Sequence, residues 1–112
     1  MNQLRGEFSF AVGKKKYEAA LTLNSLRLMC QHFGKPLDQL QEWMGEDPLT
    51  AVPAFCYYGV KTAALRKGKE AKLPEFEVWC AQALDDAETL ESMMQAVSSA
   101  LGADDSSEEG GN

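Results

Sequence analysis

The sequence predicts an α+β protein, mainly α: an N-terminal β-hairpin packed on a bundle of about four to five helices, then a disordered acidic C-terminal tail. Three observations carry this. Residues 8–23, FSFAVGKKKYEAALTL, alternate apolar and polar positions on both sides of a glycine–lysine tip, the period-2 pattern of half-buried strands. From residue 24 to 102 the apolar residues recur at helical spacing, punctuated by single glycines and prolines. The closing stretch ADDSSEEGGN has no large apolar side chain, so it cannot offset the entropy of ordering. A length of 112 residues, 45% of them hydrophobic, suits one globular domain. We place that domain at 1–102, with the hairpin in 4–23, the helices within 24–102 and the tail at 103–112.

In the hairpin, Phe8, Phe10 and Val12 share one side of the first strand, and Tyr17, Ala19, Leu21 and Leu23 share one side of the second. A two-residue turn at Gly13-Lys14 sets Phe10 opposite Tyr17; a four-residue turn would set Val12 there. Both registers keep the apolar sets on one face. Gly13 suits a turn position with positive φ. Lys14, Lys15 and Lys16 crowd the tip, a pattern of a phosphate contact or, more often, of an exposed, solubilising tip. A lone hairpin is marginal in water, so its apolar face needs helices against it.

Asn24 or Ser25 can cap the first helix, whose buried stripe is Leu26, Met29, Cys30 and Phe33. Gly34 ends it and Pro36 opens a short second helix with Leu37, Leu40 and Met44 on one side and Trp43 beside them, ending at Gly45. Pro53 argues for a short turn at 48–51 and a main helix from 53 to 67, because an interior proline costs about 3 kcal/mol. AFCYYGVKTAAL is apolar nearly all round, which predicts a central helix buried on several sides or one with a face for a partner. Gly59 permits a close helix crossing. After the charged linker KGKEAK, Pro74 begins a helix with the stripe Phe76, Trp79, Cys80 and Ala83, which Asp85 or Asp86 bends or restarts. Leu90, Met94, Val97 and Leu101 form the last stripe, stopped by Gly102.

Charge is unevenly distributed. Residues 1–72 hold all eleven Lys and Arg with seven acids, a balance of +4; residues 73–112 hold ten acids and no Lys or Arg, a balance of −10. This predicts either a solvated acidic face and tail, or association of a basic front with an acidic rear. A net charge of −6 argues against nucleic-acid binding. No apolar run reaches the roughly 18 residues of a membrane span. The start, MNQLRGEFSF, lacks the apolar core of a signal peptide, which predicts a cytosolic protein. Cys30, Cys56 and Cys80 are odd in number, widely spaced and set in apolar helical patterns, so they read as reduced, buried thiols.

The residue inventory offers little for catalysis. His32 is the single histidine, and neither a second metal-ligand pair nor a glycine-rich phosphate loop is present. No catalytic residue, cofactor or metal is predicted. The surplus is soft and apolar, which suits a binding module. The candidate protein-binding residues are Trp43, Met44, Phe55, Tyr57, Tyr58 and Met93.

The stretch LRGEFSFAVGKKKYEAALTLNSLRLMCQHFGKPLDQLQEWM, followed by FCYYGVKTAALRKG and LPEFEVWCAQALDD, resembles the tail assembly chaperones of long-tailed bacteriophages and the related small tail proteins of prophages and gene transfer agents. The resemblance covers about residues 1–101 and lies in structural pattern and apolar spacing. It implies a non-enzymatic chaperone in the host cytoplasm, absent from the finished virion. Such a protein keeps the tape-measure protein soluble, promotes tail-tube polymerisation around it and self-associates. In many phages a frameshifted extension recruits the tube protein. It assigns no residue a catalytic role. The competing expectation, from the acidic rear half, is a decoy that occupies a basic nucleic-acid-binding host protein.

Overall fold

A computed structural model describes residues 6–100 of the chain. Two antiparallel strands, β1 (Gly6–Val12) and β2 (Lys15–Leu21), precede five helices: α1 (Leu23–Phe33), α2 (Leu40–Glu46), α3 (Pro48–Arg66), α4 (Phe76–Ala83) and α5 (Ala87–Ala100). A 3₁₀ turn, Leu37–Gln39, leads into α2. The mainly helical α+β architecture with a hairpin on a helical layer is therefore the one the sequence predicts. The expected tail at 103–112 and the Leu101 and Gly102 positions lie outside the described residues.

The hairpin adopts the two-residue turn. Val12 pairs with Lys15, Phe10 with Tyr17 and Phe8 with Ala19, and Gly13 has φ 63°. Its apolar face packs against α3 beneath β2 and α5 beneath β1. The strand ends earlier than expected. Leu23 belongs to α1 and is 69% exposed. The cap of α1 is Thr22, neither Asn24 nor Ser25: its Oγ1 accepts from the Asn24 and Ser25 amides at 3.2 and 3.4 Å, while Ser25 Oγ accepts from the Thr22 amide at 2.9 Å. This reciprocal capping box fixes where extended chain becomes helix. Thr22 was concealed by its fit to the polar side of the strand pattern.

α3 is the centre of the fold. Residues 51–60 are buried without a break, so α1, α2, α4, α5 and the hairpin all pack around it. It runs through Pro53, contrary to the expected break. The proline lacks an amide for the Leu49 carbonyl, a ladder bond that the second turn of the helix would otherwise make. Pro53 itself is buried, and Trp79 Nε1 donates to its carbonyl at 3.0 Å. Packing on all sides outweighs one missing ladder bond. The close approach at Gly59 is to the hairpin: a Cβ there would sit 3.0 Å from Ala19 Cβ and from Phe8 Cζ.

Smaller boundaries also differ. α2 passes through Gly45, and α4 starts at Phe76 after Glu75 as cap. In α5 the buried stripe is Thr89, Met93, Val97 and Ala100, rotated by one residue from the predicted Leu90, Met94 and Val97. Asp86 Oδ1 accepts from the Thr89 amide at 2.7 Å, so Asp86 caps α5. No helix among the described residues is long and apolar enough to cross a membrane.

Candidate functional site

The six residues proposed as a protein-binding surface do not form one in the folded chain. Trp43, Phe55, Tyr57, Tyr58 and Met93 are buried, and Met44 is half-buried against the core. Met93 and Met94 exchange the roles expected for them: Met93 is fully enclosed and Met94 is 42% exposed. Lysine ammonium groups lie over the faces of three of these rings. Lys61 Nζ lies 5.0 and 5.5 Å from the Tyr57 and Tyr58 ring centroids, and Lys35 Nζ lies 5.5 Å from Trp43.

His32 is exposed at the surface, with its ring set against aromatic neighbours. Its Nδ1 is hydrogen-bonded to the Tyr58 hydroxyl, and its ring stacks on Phe33 at 4.4 Å between centroids and meets Phe76 at 5.2 Å. Burial pushes the Tyr58 hydroxyl up to about 12, with Tyr57 adding to it. The three cysteines are free; burial raises the thiol of Cys56 well above its ordinary value and that of Cys80 to about 11. A thiol so raised is a poor nucleophile at neutral pH. Among the described residues, no group of three or more His, Cys, Asp and Glu could hold a metal ion.

A cleft-forming surface lies elsewhere, along the seam between the hairpin and the C-terminal half of α3. One cleft of about 500 Å³ is lined by Glu7, Phe8, Ser9, Glu18, Ala19 and Ala20 of the hairpin with Ala63, Arg66 and Lys67. A second, of about 300 Å³, has a floor of Tyr17, Val60, Ala63, Ala64 and Ala71 and a rim of Lys15, Lys67, Lys69 and Lys72 around Glu18. Both share Glu18, Ala63 and Lys67, so they are two parts of one groove bridged by a single contact. Lys67 Nζ lies 3.7 Å from Glu18 Oε1, with side chains 63% and 79% exposed. An ion pair so open to water is worth about 0–1 kcal/mol and opens readily.

The chain is folded locally to make this rim. Gly68, at φ 71°, follows α3. The Gly68 amide donates to Leu65 O at 2.9 Å and the Lys69 amide to Ala64 O at 2.8 Å, the paired bonds of a Schellman motif. This reverses the chain, so the linker returns beside the helix it has just left. Tyr57 hydroxyl then donates to Pro74 O at 2.7 Å and pins the far end of the linker. Lysines at 67, 69 and 72 are thereby brought beside Lys15 of the hairpin tip. Alanines at 63, 64 and 71 leave room above the floor. In the sequence Lys14–Lys16 and KGKEAK are two separate charged runs; their meeting depends on the hairpin register and the reversal at Gly68.

The acids of the rear half, Glu75, Glu77, Asp85, Asp86, Glu88 and Glu91, are all exposed on α4, α5 and their junction. Large apolar side chains are exposed too: Leu23, Leu37, Leu49, Leu65, Val78, Leu84 and Met94. The chain matches no protein-family model, no curated protein and no solved structure.

Proposed function

We propose that this chain is a non-enzymatic tail assembly chaperone of the bacteriophage type. It binds the tape-measure protein in the host cytoplasm, keeps it soluble and promotes polymerisation of the tail-tube protein around it. The observation that carries the reading is the groove: an apolar floor of small side chains under a lysine rim suits one face of an amphipathic helix with acids along its flanks. The exposed leucines and Met94 supply further adaptable apolar contact. The sequence resemblance in order of elements supplies the client. Client binding moves from Trp43, Phe55, Tyr57, Tyr58 and Met93, which serve the core, to the seam between β2 and α3.

Co-expression with a tape-measure protein tests this. The expected result is a shift of the client from the pellet to the supernatant and its co-purification with this chain. A client equally insoluble with and without the chain would refute the proposal.

A further inference from the structure

The groove has a candidate occupant in the same polypeptide. Its rim gathers Lys15, Lys67, Lys69 and Lys72, with Arg66 in the adjoining cleft, against Glu7 and Glu18 in the lining and Glu70 in the linker between Lys69 and Lys72. Beyond the described residues the sequence carries DDSSEE at 104–109, four carboxylates with no cation among them. We propose that this acidic stretch docks in cis along the lysine rim in the free protein, so that any acidic polypeptide entering the groove must displace it.

Reach and strength both favour the chain's own segment. The stretch from Ala100 to Glu109 spans up to about 30 Å when extended, comparable to the two shorter molecular extents of 32 and 27 Å. Individual exposed ion pairs are weak. A short tether supplies an effective concentration of about millimolar, which populates a contact that free peptides would barely make. The same tether favours the cis contact over one with a second copy at ordinary protein concentrations. A nucleic-acid occupant is disfavoured by the net charge of −6. The docked segment also removes part of the like-charge repulsion among the lysines, an effect that salt screens. The contact does not depend on the client proposed above: in the free protein the groove can hold the tail even if no tape-measure segment ever binds there.

The test uses the full chain at low salt, as an equal mixture of ¹⁵N-labelled and unlabelled protein, with a zero-length carboxyl–amine cross-linker and peptide mass spectrometry. Links from 104–109 to Lys15, Lys67, Lys69 and Lys72 are expected to exceed those to Lys35 and Lys61 several-fold. They are expected to join peptides of one isotope only, and to fall to the Lys35 and Lys61 level in about 1 M salt. A uniform spread over all lysines would overturn the proposal, and mixed-isotope links would assign the contact to a second copy instead. As a second measurement, the amide resonances of Lys67, Lys69 and Lys72 are expected to shift in a variant with Asp104→Asn, Asp105→Asn, Glu108→Gln and Glu109→Gln. Unchanged resonances would equally overturn it.

Discussion

The indole Nε1 of Trp79 donates to the main-chain carbonyl of Pro53 across 3.0 Å. The bond joins α4 to the turn of α3 where the proline leaves a gap in the helical ladder. Around the same indole, Phe10, Tyr17 and Tyr57 pack at centroid distances of 6.0, 5.1 and 5.5 Å in edge-on arrangements. Trp79 therefore holds hairpin, central helix and α4 together. Trp79→Phe removes the donor and leaves a void, and is expected to destabilise the fold by about 2–3 kcal/mol. Guanidinium unfolding checks this; an unchanged midpoint would contradict the role.

Gly59→Ala sets a steric cost against helix propensity. Alanine gains about 1 kcal/mol in a helix, but its Cβ would lie 3.0 Å from Ala19 Cβ and from Phe8 Cζ. Ala19 Cβ is fixed to the strand backbone and cannot turn away, so the clash is expected to win, with a net loss of about 1–3 kcal/mol. Adding Ala19→Gly is expected to recover part of the loss, a favourable coupling visible in a double-mutant cycle.

Thr62 Oγ1 is buried and has no hydrogen-bond partner among the described residues. An unsatisfied hydroxyl costs about 1–3 kcal/mol relative to an apolar group of the same shape. Thr62→Val is expected to be neutral or to stabilise by about 1 kcal/mol, measured as a rise in the denaturation midpoint. A loss of stability would show that the hydroxyl has a partner.

Alkaline pH should weaken the fold. Burial raises Cys80 to about 11, with Glu77 adding to it, and Tyr58 to about 12. Both groups hold their proton more tightly folded than unfolded. Their contribution is thus complete below the ordinary values of 9.0 and 10.0 and is lost as pH rises through the folded ones. The denaturation midpoint is expected to fall from about pH 9 upward; Cys80→Ala is expected to make the first part of that fall shallower, with Cys56, whose thiol burial also raises, supplying the rest. A flat midpoint would contradict the burial of both groups.

Much of the fold was legible because local signals agreed with it. The period-2 pattern and Gly13 pointed to a hairpin, and the Gly13-Lys14 register was one of two offered. Gly34, at φ 65°, ended α1 where expected. The sequence was mute where burial is continuous: a helix buried at every position from 51 to 60 has no periodic face to read. There the exposed-looking aromatics proved to be core, and Pro53 was tolerated because neighbours hold the helix on every side. In α5 the smaller Thr89 and Ala100 joined the buried stripe, which moved the phase by one residue. The groove was least legible, because Lys15 and Lys67–Lys72 are distant in sequence and each alone is an ordinary surface charge.

The central claim is that the lysine-rimmed seam between β2 and α3 receives a polypeptide client. Lys67→Glu, Lys69→Glu and Lys72→Glu together reverse the rim while leaving the buried core untouched, since all three side chains are exposed. The direct measurement is the soluble fraction of a co-expressed tape-measure protein with wild-type chain and with this variant, after circular dichroism confirms that both are folded. The wild-type chain is expected to keep the client in the supernatant and the variant to leave it in the pellet. Equal solubilisation by the two would contradict the claim.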